Sequence, residues 1–238
     1  MTPRVLEVRT KILKKNDELA RGMRDDFARQ GVFVSNLVSS PGSGKTELLT
    51  KTLERLINEY EVAAVVGDLA TENDAVRLAT SGAKSKQIKT DSVCHLEADM
   101  VAAAISGWNI ERLDYLFIEN VGNLVCPTSW DLGEDLRVML LAVTEGEDKP
   151  LKYPTLINTS DVVVISKIDL AAAVEFNREL ALKNIHTVRP GIPVFETSAK
   201  TGAGIDHWIE YLKQRLHQKR NTPLQKPTNQ KLEQNGVY

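Results

Sequence analysis

The residues best suited to chemistry form one run, Ser39-Ser40-Pro41-Gly42-Ser43-Gly44-Lys45-Thr46, set between an apolar stretch from Val32 to Val38 and a helix-like stretch from Lys45 to Ile57. Gly42 and Gly44 let backbone N–H groups wrap an anion. Lys45 adds positive charge beside terminal phosphates, and the Thr46 hydroxyl can ligate magnesium at the positive end of a helix. Ser40, Pro41 and Ser43 complete the loop. The usual pattern begins with Gly, and here Ser39 holds that position. Strand, loop and helix in this order predict a nucleoside triphosphate site, with Lys45 the side chain that stabilises charge on the phosphates.

The base is read elsewhere. Ser166-Lys167-Ile168-Asp169 follows the apolar run Val162 to Ile165 and resembles the guanine motif of GTPases, NKxD. A carboxylate at Asp169 accepts from the guanine N1–H and exocyclic amine, a pair adenine does not offer. The Lys167 stem can lie over the ring, while Ser166 in place of Asn weakens the secondary contacts. Ser198-Ala199-Lys200, after the last strand-like run, resembles the loop whose backbone N–H meets the guanine O6.

Carboxylates end two further apolar runs. Asp68 and Asp74 follow Val62 to Val66 and can ligate magnesium or hold its water, although Asp74 can equally support a helix N-terminus. Glu119-Asn120-Val121-Gly122 follows Tyr115 to Ile118, where a GTPase carries DxxG. Glu119 is a second magnesium candidate and a catalytic one, and the Gly122 N–H can sense a γ-phosphate. No counterpart of a water-orienting glutamine stands out, so hydrolysis is expected to be slow.

A separate chemistry is available to Cys94, His95 and Cys126. A parallel sheet sends its strand-to-helix loops to one edge, so the loops carrying these residues can meet on the nucleotide side. Two thiolates and an imidazole suit zinc or nickel. Three ligands leave the site open to water, to Glu97 or to a second subunit. Read by spacing alone, two unrelated buried cysteines and a surface histidine fit equally well.

These residues need a scaffold, and the chain supplies alternating strand-like and helix-like segments. The strand-like runs are Val32 to Val38, Val62 to Val66, Tyr115 to Ile118, Val138 to Val143, Val162 to Ile165 and Val194 to Phe195, with Gln87 to Lys89 a shorter candidate. The alternation predicts an α/β fold, a mostly parallel sheet flanked by helices. Ahead of it, Val5, Val8, Ile12, Leu19, Met23 and Phe27 recur at helical spacing. They predict an amphipathic helix from Arg4 to Gln30 whose heptads break at Asn16 and which packs on the domain's flank. The organisation expected is an N-terminal helix (1–31), a nucleotide-binding domain (32–218) and a disordered polar tail (219–238). Net charge −2 and a pI near 6.1 argue against nucleic acid as a partner. No apolar run approaches the roughly 18 residues of a membrane span, so a cytoplasmic location is expected. Two cysteines in 238 residues form no disulfide framework.

Taken together, SSPGSGKT, GDLATENDAVR, CHLEADM, ENVGNLVCP and SKIDL resemble the hydrogenase nickel-incorporation GTPases, the HypB family, from Val32 to about Leu216. The resemblance implies a P-loop GTPase fold, bound GTP or GDP with Mg²⁺, and GTP-favoured homodimerisation. It places a Ni²⁺ or Zn²⁺ site at the dimer interface, carried over here to Cys94, His95 and Cys126. It further implies nickel delivery to a hydrogenase large subunit and a nickel-supplying partner of the HypA type. The alternatives are a urease-type nickel-insertion GTPase, whose Cys-Pro-His motif is missing here, and a P-loop small-molecule kinase.

Overall fold

A computed structural model describes residues 3–68, 77–90 and 93–222, with side chains in the first helix described from Thr10 onward. Seven strands form one sheet: β1 (Phe33–Ser39), β2 (Val62–Asp68), β3 (Lys84–Lys89), β4 (Tyr115–Glu119), β5 (Leu136–Ala142), β6 (Val162–Ser166) and β7 (Val194–Glu196). The spatial order is β3-β2-β4-β1-β5-β6-β7, and every pairing is parallel. The inner strands read as nearly continuous apolar runs because helices cover both faces. In β1 and β5 every residue is buried.

The helices are α1 (Pro3–Gln30), α2 (Lys45–Leu56), α3 (Ala98–Ile105), the short α4 (Lys149–Lys152) and α5 (Pro154–Thr159), α6 (Arg178–Val188) and α7 (Ile205–Asn221). One core joins α2 and α7 to the sheet through Leu48, Leu49, Leu53, Trp208 and Leu212. A second joins α1 and α3 through Met23, Phe27, Val101 and Ile105. A third packs α5 and α6 on β5 and β6 through Leu156, Ile157 and Ile185.

Several expectations shift. The helix-like stretch Leu96 to Ile105 in the sequence begins two residues late, since α3 starts at Ala98 and Leu96 and Glu97 belong to the loop before it. α7 continues to Asn221, beyond the boundary expected at 218, and the remainder of the expected tail, 223–238, lies outside the described residues. The polar β3 is a full six-residue edge strand whose solvent-facing residues hide its period. In α1 the buried face is Asn16, Ala20, Met23 and Phe27, at steps of four, three and four, whereas Ile12 and Leu19 are exposed. Asn16, read in sequence as the residue that breaks the apolar stripe, is therefore part of the packed face.

Register places the chemistry. Glu119, last in β4, lies between Leu37 of β1 and Val66 of β2, just below the loop that leaves β1. Ser166 ends β6 opposite Ala142 of β5. The carboxyl ends of the strands thus share one edge, where open α/β sheets bind their ligands.

Candidate functional site

The phosphate loop turns through Gly42 (φ 73°) into Gly44 (φ 93°), which caps α2; both φ values lie in the region that side chains disfavour. Lys45 Nζ donates to Ser39 Oγ at 2.9 Å. The residue that departs from the usual Gly thus gives the lysine a contact. Ser40 and Ser43 turn their hydroxyls inward, Ser40 to Glu145 and Ser43 to the Ser40 carbonyl at 3.0 Å, so toward a ligand they offer backbone only. Pro41, Gly42, Gly44, Lys45 and Thr46 line a cavity of about 410 Å³ together with Asp68, Arg77, Glu119, Gly122 and Lys167. Thr46 Oγ1 donates to Glu119 Oε1 at 2.7 Å. Thr46, Asp68 and Glu119 form a hard oxygen set of the kind Mg²⁺ takes. Asp74 lies outside the described residues.

Gly122 faces this cavity with its backbone against the loop. A Cβ there would stand 2.8 Å from Pro41 Cα, so only Gly permits the approach.

A second cavity of about 480 Å³ is lined by Ser166, Lys167, Asp169, Thr197, Ala199 and Lys200, and shares Gly44, Glu47 and Lys167 with the first. The Lys167 Nζ reaches across to the Gly42 carbonyl at 2.6 Å. Ser198 is fully buried and does not line the cavity; its N–H is spent on the Ala203 carbonyl. Its hydroxyl instead donates to Asp169 Oδ1 at 2.6 Å, which orients the carboxylate. That leaves Ala199 and Lys200 as the backbone donors at the cavity wall. Ser166 Oγ donates to the Ser43 carbonyl at 2.6 Å, keeping a tie to the phosphate loop. Its reach ends there: the neighbouring Thr197 hydroxyl is buried without a hydrogen-bond partner among the described residues. The secondary contacts expected to weaken are therefore one kept and one unmade.

Cys94, His95 and Cys126 come together, with their ligand atoms all within 4.8 Å of one another. Cys94 Sγ lies 4.0 Å from His95 Nδ1, against about 3.6 Å for sulfur and nitrogen on one tetrahedral zinc. The His95 ring stacks on Trp130 at 4.3 Å, and Glu97 Oε1 stands 3.4 Å from Nε2. Glu97 thus meets the imidazole on the edge away from the thiols, as an orienting group does. Burial holds the His95 imidazole below its ordinary range, against the pull of Glu97, and so favours the neutral ligand form. The hydrogen bond with Cys94, then burial, pushes the Cys126 thiol up. Cys126 opens a single 3₁₀ turn whose Val125 and Cys126 N–H groups both donate to Asn123 Oδ1, at 2.7 and 2.9 Å.

Sequence reasoning missed Arg77 and Asn120 on the phosphate cavity, and Glu145 behind it. Glu145 stands three residues beyond β5, and Glu119 is the last residue of β4, so asking the same question of each strand end would have found it. Arg77 belongs to the GDLATENDAVR run but carries no local sign of where it points.

Comparisons with known proteins give the family. A family profile described as "CobW/HypB/UreG, nucleotide-binding domain" matches residues 33–196. Hydrogenase maturation factor HypB of Escherichia coli strain K12 is 46% identical over 209 residues, which cover 88% of this chain and 72% of that protein. The Rhizobium leguminosarum bv. viciae protein of the same name is 45% identical, over 88% of this chain and 70% of its own. The crystal structure of HypB from Helicobacter pylori in complex with nickel is similar at a TM-score of 0.81 and 36% identity, covering 89% of this chain and 100% of that one. A signal recognition particle 54 kDa protein from Aeropyrum pernix K1, 14% identical at a TM-score of 0.54 over 78% of this chain and 49% of that one, shares the fold alone. The chain belongs to the hydrogenase maturation factor HypB family, within the CobW/HypB/UreG group of nucleotide-binding domains.

Proposed function

We propose that the protein is a GTP-regulated metallochaperone that hydrolyses GTP slowly and uses the nucleotide state to control delivery of Ni²⁺ to a hydrogenase large subunit. One observation carries this reading: Glu119, Gly122 and Cys126 leave β4 on one short stretch of chain, so the phosphate cavity and the sulfur-nitrogen cluster share a connection. Catalysis is positional and electrostatic. Lys45 and the backbone N–H groups of Gly42 to Thr46 hold the phosphates, and Thr46, Glu119 and Asp68 would hold Mg²⁺, which neutralises charge on the phosphate oxygens. Asp169, oriented by Ser198, reads guanine. Cys94, His95 and Cys126 take the cargo ion, with Ni²⁺ or Zn²⁺ both compatible with a soft donor set.

The rest of the reading follows the family: a homodimer favoured by GTP, which supplies the ligands a three-residue site lacks, and a nickel-supplying partner of the HypA type. Among the described residues no helix is long and apolar enough to cross a membrane, and a cytoplasmic setting is the one we propose. The 1–31 helix and a nucleotide-binding domain from residue 32 remain the proposed organisation, with the domain extended to the end of α7 and the tail following it. Relatives in Helicobacter are named hydrogenase/urease maturation factors, and the one from Helicobacter hepaticus is 39% identical over 90% of this chain and 89% of its own. That makes urease a second candidate client for the same metal site.

The test is a titration of Ni²⁺ and Zn²⁺ into protein loaded with GDP or with a non-hydrolysable GTP analogue, with the mass followed in parallel. Nickel affinity is expected to differ between the two states, and the analogue to shift the protein toward dimer. A monomer in both states with identical metal affinities would remove the regulated chaperone.

The unmade contact at Thr197 gives a separate expectation. In Ser166→Asn the longer side chain can keep the Ser43 carbonyl and reach the Thr197 hydroxyl, a gain of about 1 kcal/mol. GDP and GTP should both bind up to about fivefold more tightly, by competition with a fluorescent nucleotide. Weaker binding would mean that the cavity is fitted to serine.

A further inference from the structure

Two asparagines, neither of them a metal ligand, hold the short segment Leu96 to Ala98 that follows His95, one at each end, and Asn120 also borders the phosphate cavity. At one end, Asn120 Oδ1 accepts from the Leu96 N–H at 3.2 Å and from the Val121 N–H at 3.0 Å. Leu96 is the residue after His95, and Asn120 the residue after Glu119. At the other end, Asn16 of α1 accepts from the Ala98 N–H at 2.8 Å and donates from Nδ2 to the Asp131 carbonyl at 2.8 Å. Ala98 opens α3 directly after Glu97, the contact of His95 Nε2, and Asp131 follows Trp130, the ring on which His95 stacks. One buried amide therefore ties together the two segments that fix the imidazole on its edge and on its face.

The ties continue through the interior. Asn120 Nδ2 donates to Asn36 Oδ1 at 3.3 Å, and Asn36 Nδ2 to Glu134 Oε1 at 3.1 Å. Glu134 accepts from Arg137 Nε at 2.8 Å, and Arg137 Nη2 donates to the Trp130 carbonyl at 2.7 Å. Buried networks satisfied in this way hold one arrangement, because breaking any member leaves polar groups without water.

Resting on the proposed metal-chaperone reading, we propose that Asn16 and Asn120 are positioning residues of the metal site. Asn16 makes the N-terminal helix the fixed wall against which His95 is set. Asn120 is the moving end: any displacement of Glu119 and Gly122 on phosphate contact carries the Leu96 N–H, and with it His95, relative to Cys126. The two roles differ in what their loss does. Removal of the wall weakens metal binding in every nucleotide state, whereas removal of the moving end reduces the dependence of metal affinity on nucleotide.

The experiment titrates Ni²⁺ alone into the full chain, following the thiolate-to-nickel charge-transfer band, with GDP or a non-hydrolysable GTP analogue bound. The proteins are the wild type, Asn16→Ala, Asn120→Ala, Asn120→Asp and Phe27→Leu. Phe27 packs the same helix through the second core but has no polar side-chain group to tie to the metal loops, so its variant reports on loosening of α1 as such. Asn16→Ala is expected to weaken nickel about tenfold in both states while GDP affinity stays at the wild-type value, and Phe27→Leu to leave nickel affinity unchanged. Asn120→Ala is expected to reduce the ratio between the two states, the path from Gly122 to Cys126 remaining, and Asn120→Asp, which keeps the acceptor for Leu96, to restore it. Wild-type nickel affinity in Asn16→Ala, or an equal loss in Phe27→Leu, overturns the role of α1. A preserved ratio in Asn120→Ala overturns the role of Asn120. A wild type that binds no nickel overturns the metal reading and this inference together, whereas either of the preceding results sinks the inference and leaves that reading standing.

Discussion

Replacing Lys45 by Ala is expected to bring GTP hydrolysis below detection and to weaken GTP binding by about 100-fold, corresponding to ~2.7 kcal/mol. The lysine is buried at the mouth of the phosphate cavity, and its Nζ contacts Ser39 Oγ. Hydrogen bonds from an ionised donor to phosphate are the strong ones, and the loop's N–H groups are dipoles that replace no unit charge. Transition-state charge on the transferred phosphoryl group is met chiefly by such fixed positive groups, so hydrolysis falls further than binding. Arg77 and Lys167 also line the cavity, but Arg77 is exposed and Lys167 reaches the Gly42 carbonyl, so neither stands where Lys45 does. The measurement is single-turnover phosphate release beside equilibrium binding of GTP and GDP. Wild-type turnover in the variant would move the chemistry to another part of the molecule.

That loop was legible in the sequence because its chemistry is local: a strand, an anion-wrapping turn and a helix N-terminus occupy consecutive residues. The cysteine-histidine cluster was legible by a longer argument, since a parallel sheet delivers every strand-to-helix loop to one edge and so brings residue 94 beside residue 126. What failed to show was polar, and in part non-local. Asn16 read as an interruption of an apolar stripe because its two partners lie 82 and 115 residues away. Ser198 read as a base-contacting backbone position, whereas its own N–H is committed within its turn and its side chain acts on Asp169. β5 begins at Leu136, ahead of the expected Val138, because the Arg137 charge is neutralised by Glu134 and can enter the strand. β3 was visible only in part, since an edge strand needs no continuous apolar run. For Asn16 and for the contact of Ser198 with Asp169 the local composition was ordinary and the deciding partner was distant in sequence.

Cys126→Ala is expected to lose at least 100-fold in nickel affinity and all dependence of that affinity on nucleotide, while binding GTP as the wild type does. Among the described residues the cluster has three protein ligands within reach of one another, so removal of one thiolate leaves a Cys-His pair, which two waters or a second subunit would have to complete. The loss of coupling follows from the chain path. Gly122 lies against Pro41 of the phosphate loop, and Asn123, the next residue, holds the Val125 and Cys126 N–H groups through one oxygen. A shift of Gly122 on binding a γ-phosphate is therefore delivered to Cys126 across a span with little slack. Linkage requires the reciprocal effect, so nickel must change the affinity ratio for GTP over GDP by the factor by which nucleotide changes nickel affinity. Both sides of that equality are measurable by isothermal titration of wild type and variant, each loaded with either nucleotide. The wild type should close the cycle with a factor different from one and the variant with a factor of one. Retained nickel affinity in the variant would strike Cys126 from the ligand set. A retained factor with weakened affinity would show that the nucleotide acts through His95, along the Asn120 path, and that the Cys126 loop only follows.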